Sequence, residues 1–231
     1  MRIFAIADPH LSKCTQKPMD VFGGNWEGHP EVFFEGWRTT VADDDLVLIP
    51  GDISWAMRLS DALEDLRDIA ALPGRKVLLR GNHDYWWPSI SKLRSVLPEG
   101  MYAIQNDALA LDGVIIAGTR GWVCPDRFEF SAQDNKIYLR EVERLKLSLS
   151  AARRLSGKLL IAMLHFPPTN VRLEPSGFTR LLEAYGADIV IFGHIHGETA
   201  SLPLPIIGHA AVHFVAADAL GFKPALIAEV N

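Results

Sequence analysis

The sequence predicts an α/β fold in a single domain spanning residues 1–231, a mixed sandwich of sheet and helix, and three observations carry that expectation. Short apolar runs of strand length alternate with segments of helical period. Two further apolar runs near the C-terminus have no long helix between them, which suits antiparallel strands. Most of the apolar runs have Asp, Asn or His within three residues of their end, at the strand ends where open α/β sheets gather their ligands.

The strand candidates in order are Ile3 to Ala7, Leu46 to Ile49, Val77 to Leu79, Val114 to Ala117, Leu159 to Leu164 and Ile189 to Phe192. Such continuous apolar runs belong to strands buried on both faces. Between them Ala62, Leu63, Leu66, Ile69 and Ala70 mark a helix, with Ser60 as its N-cap and Asp61 in its first turn. A longer helix is predicted over Asn135 to Leu155, where Tyr138, Val142, Leu145, Leu149 and Ala152 form one apolar face. Val212 to Ala216 and Ala225 to Val230 are the two runs that suit antiparallel strands. Ser12 to Pro30, carrying Gly23, Gly24, Asn25 and Gly28, reads as a long loop able to cover a site.

Composition narrows the function classes. Hydrophobic residues make up 48% of the 231 residues and charged residues 22%, as in ordinary water-soluble domains. No apolar run approaches the ~20 residues of a membrane span, so neither signal peptide nor anchor is expected. The net charge of -5 argues against long nucleic acid as a partner. Cys14 and Cys124 are too few for a disulfide framework and are expected to be free thiols in a reducing cytoplasm.

The chemistry lies just past the strand ends. Asp8 and His10 come after the first strand, Gly51-Asp52 after the second, and Gly81-Asn82-His83-Asp84 after the third. His165 follows Leu164, and Gly193, His194 and His196 follow Phe192. Asp8 and His10, like His194 and His196, are two apart and in extended chain point the same way. Glycines 51, 81 and 193 are expected to let the backbone turn sharply before each ligand. Carboxylate, imidazole and amide oxygen without thiolate suit Mn²⁺, Fe or Zn²⁺. Asp8, His10, Asp52, Asn82, His165, His194 and His196 exceed the roughly four to six positions of one ion, so two divalent ions are expected.

Asp8-x-His10, Gly51-Asp52, Gly81-Asn82-His83-Asp84, His165 and Gly193-His194-x-His196, in that order, resemble the five signature blocks of the calcineurin-like metallophosphoesterase superfamily. The resemblance implies a two-sheet β-sandwich flanked by helices, with a dinuclear metal site on loops at the strand ends. One metal would be held by Asp8, His10, Asp52 and His196, and the other by Asp52, Asn82, His165 and His194, so that Asp52 bridges. His83 would face the leaving group, oriented by Asp84, and a metal-activated hydroxide would attack phosphorus in a phosphate mono- or diester.

The block after Asp52 reads Ile53-Ser54-Trp55 where phosphoprotein phosphatases of the superfamily carry Asp-Arg, and the third block ends in Asp84 rather than Glu. The likeness is therefore to small stand-alone bacterial phosphohydrolases, with a small phosphorylated substrate, nucleotides included. A nuclease of the same fold and a non-enzymatic metal-binding scaffold are the alternatives. Trp55, Trp86, Trp87 and Trp122 crowd the motif loops, either as a stacking wall or as packing. His209 and His213 are expected to be structural, and His29 is left open.

Overall fold

The computed structural model describes residues 1–15, 17, 19–127, 130–197 and 203–230, so residues 16 and 18 of the predicted loop lie outside the described residues. In chain order the elements are β1 (Arg2–Ala5), α1 (His29–Thr40), β2 (Leu46–Pro50), α2 (Leu59–Ala70), β3 (Arg75–Leu79), α3 (Ile90–Arg94), β4 (Met101–Ala103), β5 (Ala108–Leu111) and β6 (Val114–Thr119). They continue with α4 (Ala132–Ala152), β7 (Leu159–Leu164), α5 (Gly177–Tyr185), β8 (Ile189–Phe192), β9 (Ala211–Phe214) and β10 (Ala225–Glu229).

The strands form two sheets, ordered β10-β1-β2-β3-β4 and β5-β6-β7-β8-β9. Only β10 on β1 and β5 on β6 are antiparallel. Alternation along each strand sorts the side chains into layers. Ile3, Ala5, Leu46, Leu48 and Val77 meet Val114, Ile116, Ile161, Met163 and Ile191 between the sheets. Phe4, Val47 and Ile49 face outward onto Phe33 and Trp37 of α1 and Leu66 and Ile69 of α2. On the far side Ala117, Ala162 and Val190 pack against Leu145 and Leu149 of α4 and Phe178 and Leu182 of α5. The layers run helix, sheet, sheet, helix, and the parallel strands bring their C-terminal ends to one rim.

Three predicted details are corrected. The long helix starts at Ala132 rather than Asn135, because Ser131 and Asp134 form a capping box, each side chain accepting the other's backbone N–H. Ser60 lies inside the first turn of α2, whose N-cap position is Arg58, without a side-chain cap. Of the two C-terminal runs expected to be antiparallel strands, β10 does add antiparallel, to β1, but β9 adds parallel to β8 in the other sheet. The chain between β8 and β9 is long enough to return to the start of the sheet, which allows a parallel strand. The predicted loop contains two 3₁₀ turns, Asp20–Phe22 and Gly24–Trp26, and α1 begins at its end.

Among the described residues no helix is long and apolar enough to cross a membrane. One buried cation does stand out within the fold. Lys76 on β3 is 2% exposed, and its ammonium donates to the carbonyls of Ala70 and Leu72 at the end of α2. Burial lowers its pKa to about 8, against a smaller opposing pull from Asp43. A base whose folded pKa lies below its unfolded value binds fewer protons folded than unfolded between the two. Its cost is therefore full below pH ~8 and is relieved as pH rises toward ~10.5. Relative to Lys76→Met, the wild type should gain about 1–3 kcal/mol between pH 7 and 10 in denaturant unfolding, each pK unit being worth ~1.4 kcal/mol. A pH-independent difference between the two proteins would contradict the depressed pKa.

Candidate metal centre

The ligand-type residues at the strand ends come together on the shared rim as two adjoining groups. Asp8, His10 and His196 form one, and Asp52, His165 and His194 the other, with the ligand atoms of each group within 4.8 Å of one another. Asp52 lies between them: its Oδ2 is 3.4 Å from His165 Nε2 and 3.8 Å from His10 Nε2. Asn82 joins the second group, its Oδ1 2.6 Å from His165 Nε2. His10 Nε2 and His196 Nε2 approach to 3.3 Å. All seven sequence-predicted ligands are thus gathered in one place.

Backbone geometry shows how the chain delivers them. Asp8, His10, Asp52 and His194 have φ of 59°, 46°, 52° and 74°, in the left-handed region that non-glycine residues seldom occupy. The expected extended geometry at these pairs is therefore replaced by tight turns, and strain of this kind concentrates at functional sites. Hydrogen bonds hold the turns: His194 N–H donates to Asp8 Oδ2 at 2.9 Å, and His83 N–H to Asp52 Oδ1 at 2.7 Å. Of the three glycines, only Gly51 has a positive φ, 100°. Gly81 and Gly193 serve close approach instead, since a Cβ at Gly81 would collide with Asp52 and one at Gly193 with Asp8 and Ala7.

The side-chain chemistry fits a cation. Asp8 is fully buried, and with Oδ2 engaged by His194 its Oδ1 has no hydrogen-bond partner. A carboxylate oxygen left bare among imidazole nitrogens is the environment a metal ion satisfies. Burial, with Asp52 adding to it, raises the Asp8 pKa to about 7 against the pull of His165. Burial opposes the charge of Asp52 as well, but His165 and His10 outweigh it and hold Asp52 below the usual carboxylate range. Burial alone would lower His165, yet Asp52 and Asp8 raise it to about 9. Burial, followed by the charge of His165, brings His194 down to about 3, and burial keeps His10 well below its ordinary value. Those two rings are held in the neutral form that binds metal.

Asp84 and His83 are arranged differently from expectation. The Asp84 carboxylate, fully buried, accepts the backbone N–H groups of Asp52, Ile53, Ser54 and Gly81 and the indole N–H of Trp86. It ties the turns after β2 and β3 together and is no hydrogen-bond partner of the His83 ring. His83 instead leans on Trp55, ring centroids 4.5 Å apart, and its pKa is lowered, chiefly by burial.

The comparisons with known proteins agree with this geometry. A family model described as calcineurin-like phosphoesterase matches residues 1–198. The chain belongs to that family. Two solved structures share the fold of this calcineurin-like phosphoesterase. The protein TT1561 of Thermus thermophilus gives a TM-score of 0.55 at 16% identity, covering 97% of both chains. Phosphopantetheinyl hydrolase (PptH) of Mycobacterium tuberculosis gives 0.53 at 13% identity, covering 93% of this chain and 88% of that one. No curated protein matches the sequence. Family membership makes the chain a hydrolase of the phosphoesterase type, with Asp/His groups able to hold divalent metal.

Around the centre of this calcineurin-like phosphoesterase lie two openings that share His194. One, about 100 Å³, is lined by Met19, Trp26, Trp55, His83, His10 and His196. The other is a cleft of about 410 Å³ lined by Val123, Cys124, Phe166, Pro167, Val171 and Arg172 among others. The four predicted tryptophans divide accordingly. Trp55 stacks on His10 at 4.7 Å and 20° at the wall of the smaller opening. Trp86 and Trp87 are buried in the outer core of the first sheet, and Trp122 packs on Phe166 with its N–H donated to Asp134. Trp26, from the long loop, packs against His196 at 5.5 Å and is itself braced by His29, whose two ring nitrogens lie 3.1 Å from the Trp26 and Pro9 carbonyls.

Sequence reasoning missed Asp218, whose Oδ1 lies 3.1 Å from His196 Nδ1 while Oδ2 accepts the Gly197 N–H. The only signal for it was positional, since Asp218 comes after the Val212 to Ala216 run as the other site residues come after theirs. A carboxylate on the far nitrogen of a ligand imidazole fixes its tautomer and orientation. Asp218→Ala should weaken divalent-metal affinity by ~10–100-fold. Competition with a fluorescent chelator measures this, and unchanged affinity would remove Asp218 from any supporting role.

Proposed function

We propose that this chain hydrolyses a phosphate mono- or diester of a small molecule with two divalent cations held by Asp8, His10, Asp52 and His196 on one side and by Asp52, Asn82, His165 and His194 on the other. The observation that supports this most directly is the position of the Asp52 carboxylate, which belongs to one ligand group and lies 3.8 Å from His10 of the other. Bound there, such cations would supply an activated water nucleophile and neutralise charge at phosphorus. Mn²⁺, Fe and Zn²⁺ all suit the donor set.

The residues around the cations would do the rest. His194 borders both openings, so a phosphoryl group at the centre can extend its ester arm into the 410 Å³ cleft. That volume falls in the ~300–1,000 Å³ range of small-molecule sites, whereas the other opening admits little more than the phosphoryl group and a small substituent. Arg172 at the cleft is already matched by Asp126 at 3.3 Å and Glu174 at 3.1 Å, which favours an uncharged, weakly polar ester arm there. His83 is held near neutrality of charge by burial and donates a hydrogen bond to a phosphoryl or leaving oxygen, while Trp55 fixes its ring. The two free cysteines suit a reducing cytoplasm.

Elemental analysis after reconstitution should find close to two metal ions per chain, and chelation should abolish hydrolysis of nitrophenyl phosphates. Asp52→Asn should lose more metal and activity than loss of a ligand on one side only, because its charge offsets repulsion between the cations. Saturation at one ion would overturn the paired centre, and full activity in chelator would overturn metal dependence.

His83→Ala should retain its metal yet lose ~10²–10⁴ in kcat. A neutral ring that steadies the phosphoryl group predicts similar losses on nitrophenyl and alkyl esters. A much larger defect on the alkyl ester, whose leaving oxygen needs a proton, would make His83 the proton donor instead, and lost metal would make it a ligand.

A further inference from the structure

A third cavity on the same rim, about 60 Å³, is lined by Leu79, Arg80, Ile104, Gln105, Thr119 and Arg120, with Arg144 and Glu141 closing it. Three guanidinium groups meet there against a single carboxylate. Glu141 is 1% exposed and already accepts from Thr119 Oγ1 at 2.5 Å, Arg144 at 2.6 Å and Arg120 at 3.3 Å. Arg80 has neither ion pair nor side-chain hydrogen bond among the described residues, and the buried Nε groups of both Arg80 and Arg120 lack acceptors. Burial lowers the Arg120 pKa, and beyond the opposing pull of Glu141 the charges of Arg80 and Arg144 lower it further. Buried donors normally find acceptors, and like charges gathered beside one carboxylate repel. The missing partner is an anion.

The place of this cavity ties it to the metal centre. Arg80 precedes the ligand Asn82 by two residues, at the end of β3. Arg120 follows β6, and its carbonyl accepts the N–H of His165, the ligand at the end of the adjoining β7, at 3.0 Å. Neighbouring strands lie ~4.8 Å apart, so Arg120 after β6 stands about one strand spacing from His165 after β7. Its volume equals about two waters at ~30 Å³ each, enough for one phosphate or carboxylate group and too little for a nucleobase.

We propose that Arg80 and Arg120 form an oxyanion subsite that takes a second anionic group, phosphate or carboxylate, of the substrate whose phosphoester is cleaved at the metal centre. The substrate role rests on the phosphoesterase reading, while the binding of an oxyanion does not. A guanidinium forks two N–H donors onto such a group, which gives affinity and a fixed distance from the reacting phosphorus. Such a substrate would lay its first phosphate at His194 and its second acidic group beside Arg80, with the uncharged part turned toward the larger cleft.

The test uses the full chain as purified, in two arms. In the first, thermal unfolding is followed with sodium sulfate against sodium chloride at equal ionic strength. The wild type should gain about 2–4 °C in sulfate and Arg80→Gln less than half of that, without losing stability in chloride, since Arg80 gives up no partner. An equal gain in both proteins, or none in the wild type, would overturn the subsite. In the second arm, alkyl phosphates of graded chain length ending in carboxylate or hydroxyl are compared by kcat/KM. The wild type should prefer carboxylates at one chain length, and Arg80→Gln should lower that preference by about ten-fold, the worth of one charge-assisted hydrogen bond. Arg80→Lys should restore part of it. An Arg80-dependent sulfate effect without any carboxylate preference would make the anion a free ion and overturn the substrate assignment. Absence of turnover on every phosphoester would instead defeat the phosphoesterase reading and leave the sulfate result standing.

Discussion

The buried carboxylate of Asp84 is the point on which the site hangs. Its five donors come from the turn after β2, the turn after β3 and the Trp86 indole, so one side chain locks two strand ends into one rigid loop pair. Hydrogen bonds to a charged acceptor are roughly twice as strong as neutral ones, and here all five are shielded from water. The Asp52 side chain is aimed by that frame, since its own backbone N–H is held by Asp84 and its Oδ1 accepts from His83 N–H. Behind it, Gly81 leaves no room for a Cβ, so the two turns touch at van der Waals distance.

That frame explains how four candidate ligands tolerate left-handed backbone. Each such residue costs on the order of 1–3 kcal/mol where no glycine relieves it. The strain is offset by a lattice of main-chain bonds across the rim: Asp8 N to Gly51 O, His10 N to Asp52 O, and Gly193 N to His165 O. Each bond joins one ligand turn to another, so the turns stabilise one another and none would keep its shape alone. The two sheets meet at the same place, where Ala7 pairs with Ala216 across the rim.

Electrostatics gives the rim its chemical direction. Carboxylates and imidazoles are gathered out of water, and their pKa values move apart: Asp8 and His165 upward, His194 and His10 downward. Cations bound within this buried cluster would fix the charge states of its groups. Beyond the cluster the surroundings differ by side. Apolar walls and a neutralised Arg172 lie toward the large cleft, and guanidiniums that share the single carboxylate of Glu141 lie toward Arg80 and Arg120. A ligand crossing the centre would meet opposite environments at its two ends.

The sequence by itself determined most strands of the parallel core, the α/β class and the seven candidate ligands, because strand ends are marked locally by an apolar run with Asp, Asn or His within three residues of its end. It did not place β9 and β10 in separate sheets, since pairing direction depends on how the connecting chain returns and two short apolar runs read alike. It marked Gly81 and Gly193 as necessary but gave the wrong reason, turning rather than closeness, because a steric neighbour distant in sequence leaves no local trace. Asp84 stood out as part of a motif, yet its task was set by donors on the turn of another strand. Arg80, Arg120 and Arg144 are ordinary arginines in the chain, and only the packing of α4 against β6 beside the end of β3 makes them a cluster. Local patterning fixes what each residue can do; the tertiary structure decides what it stands next to and how far from water, and Coulomb and steric energies depend on both.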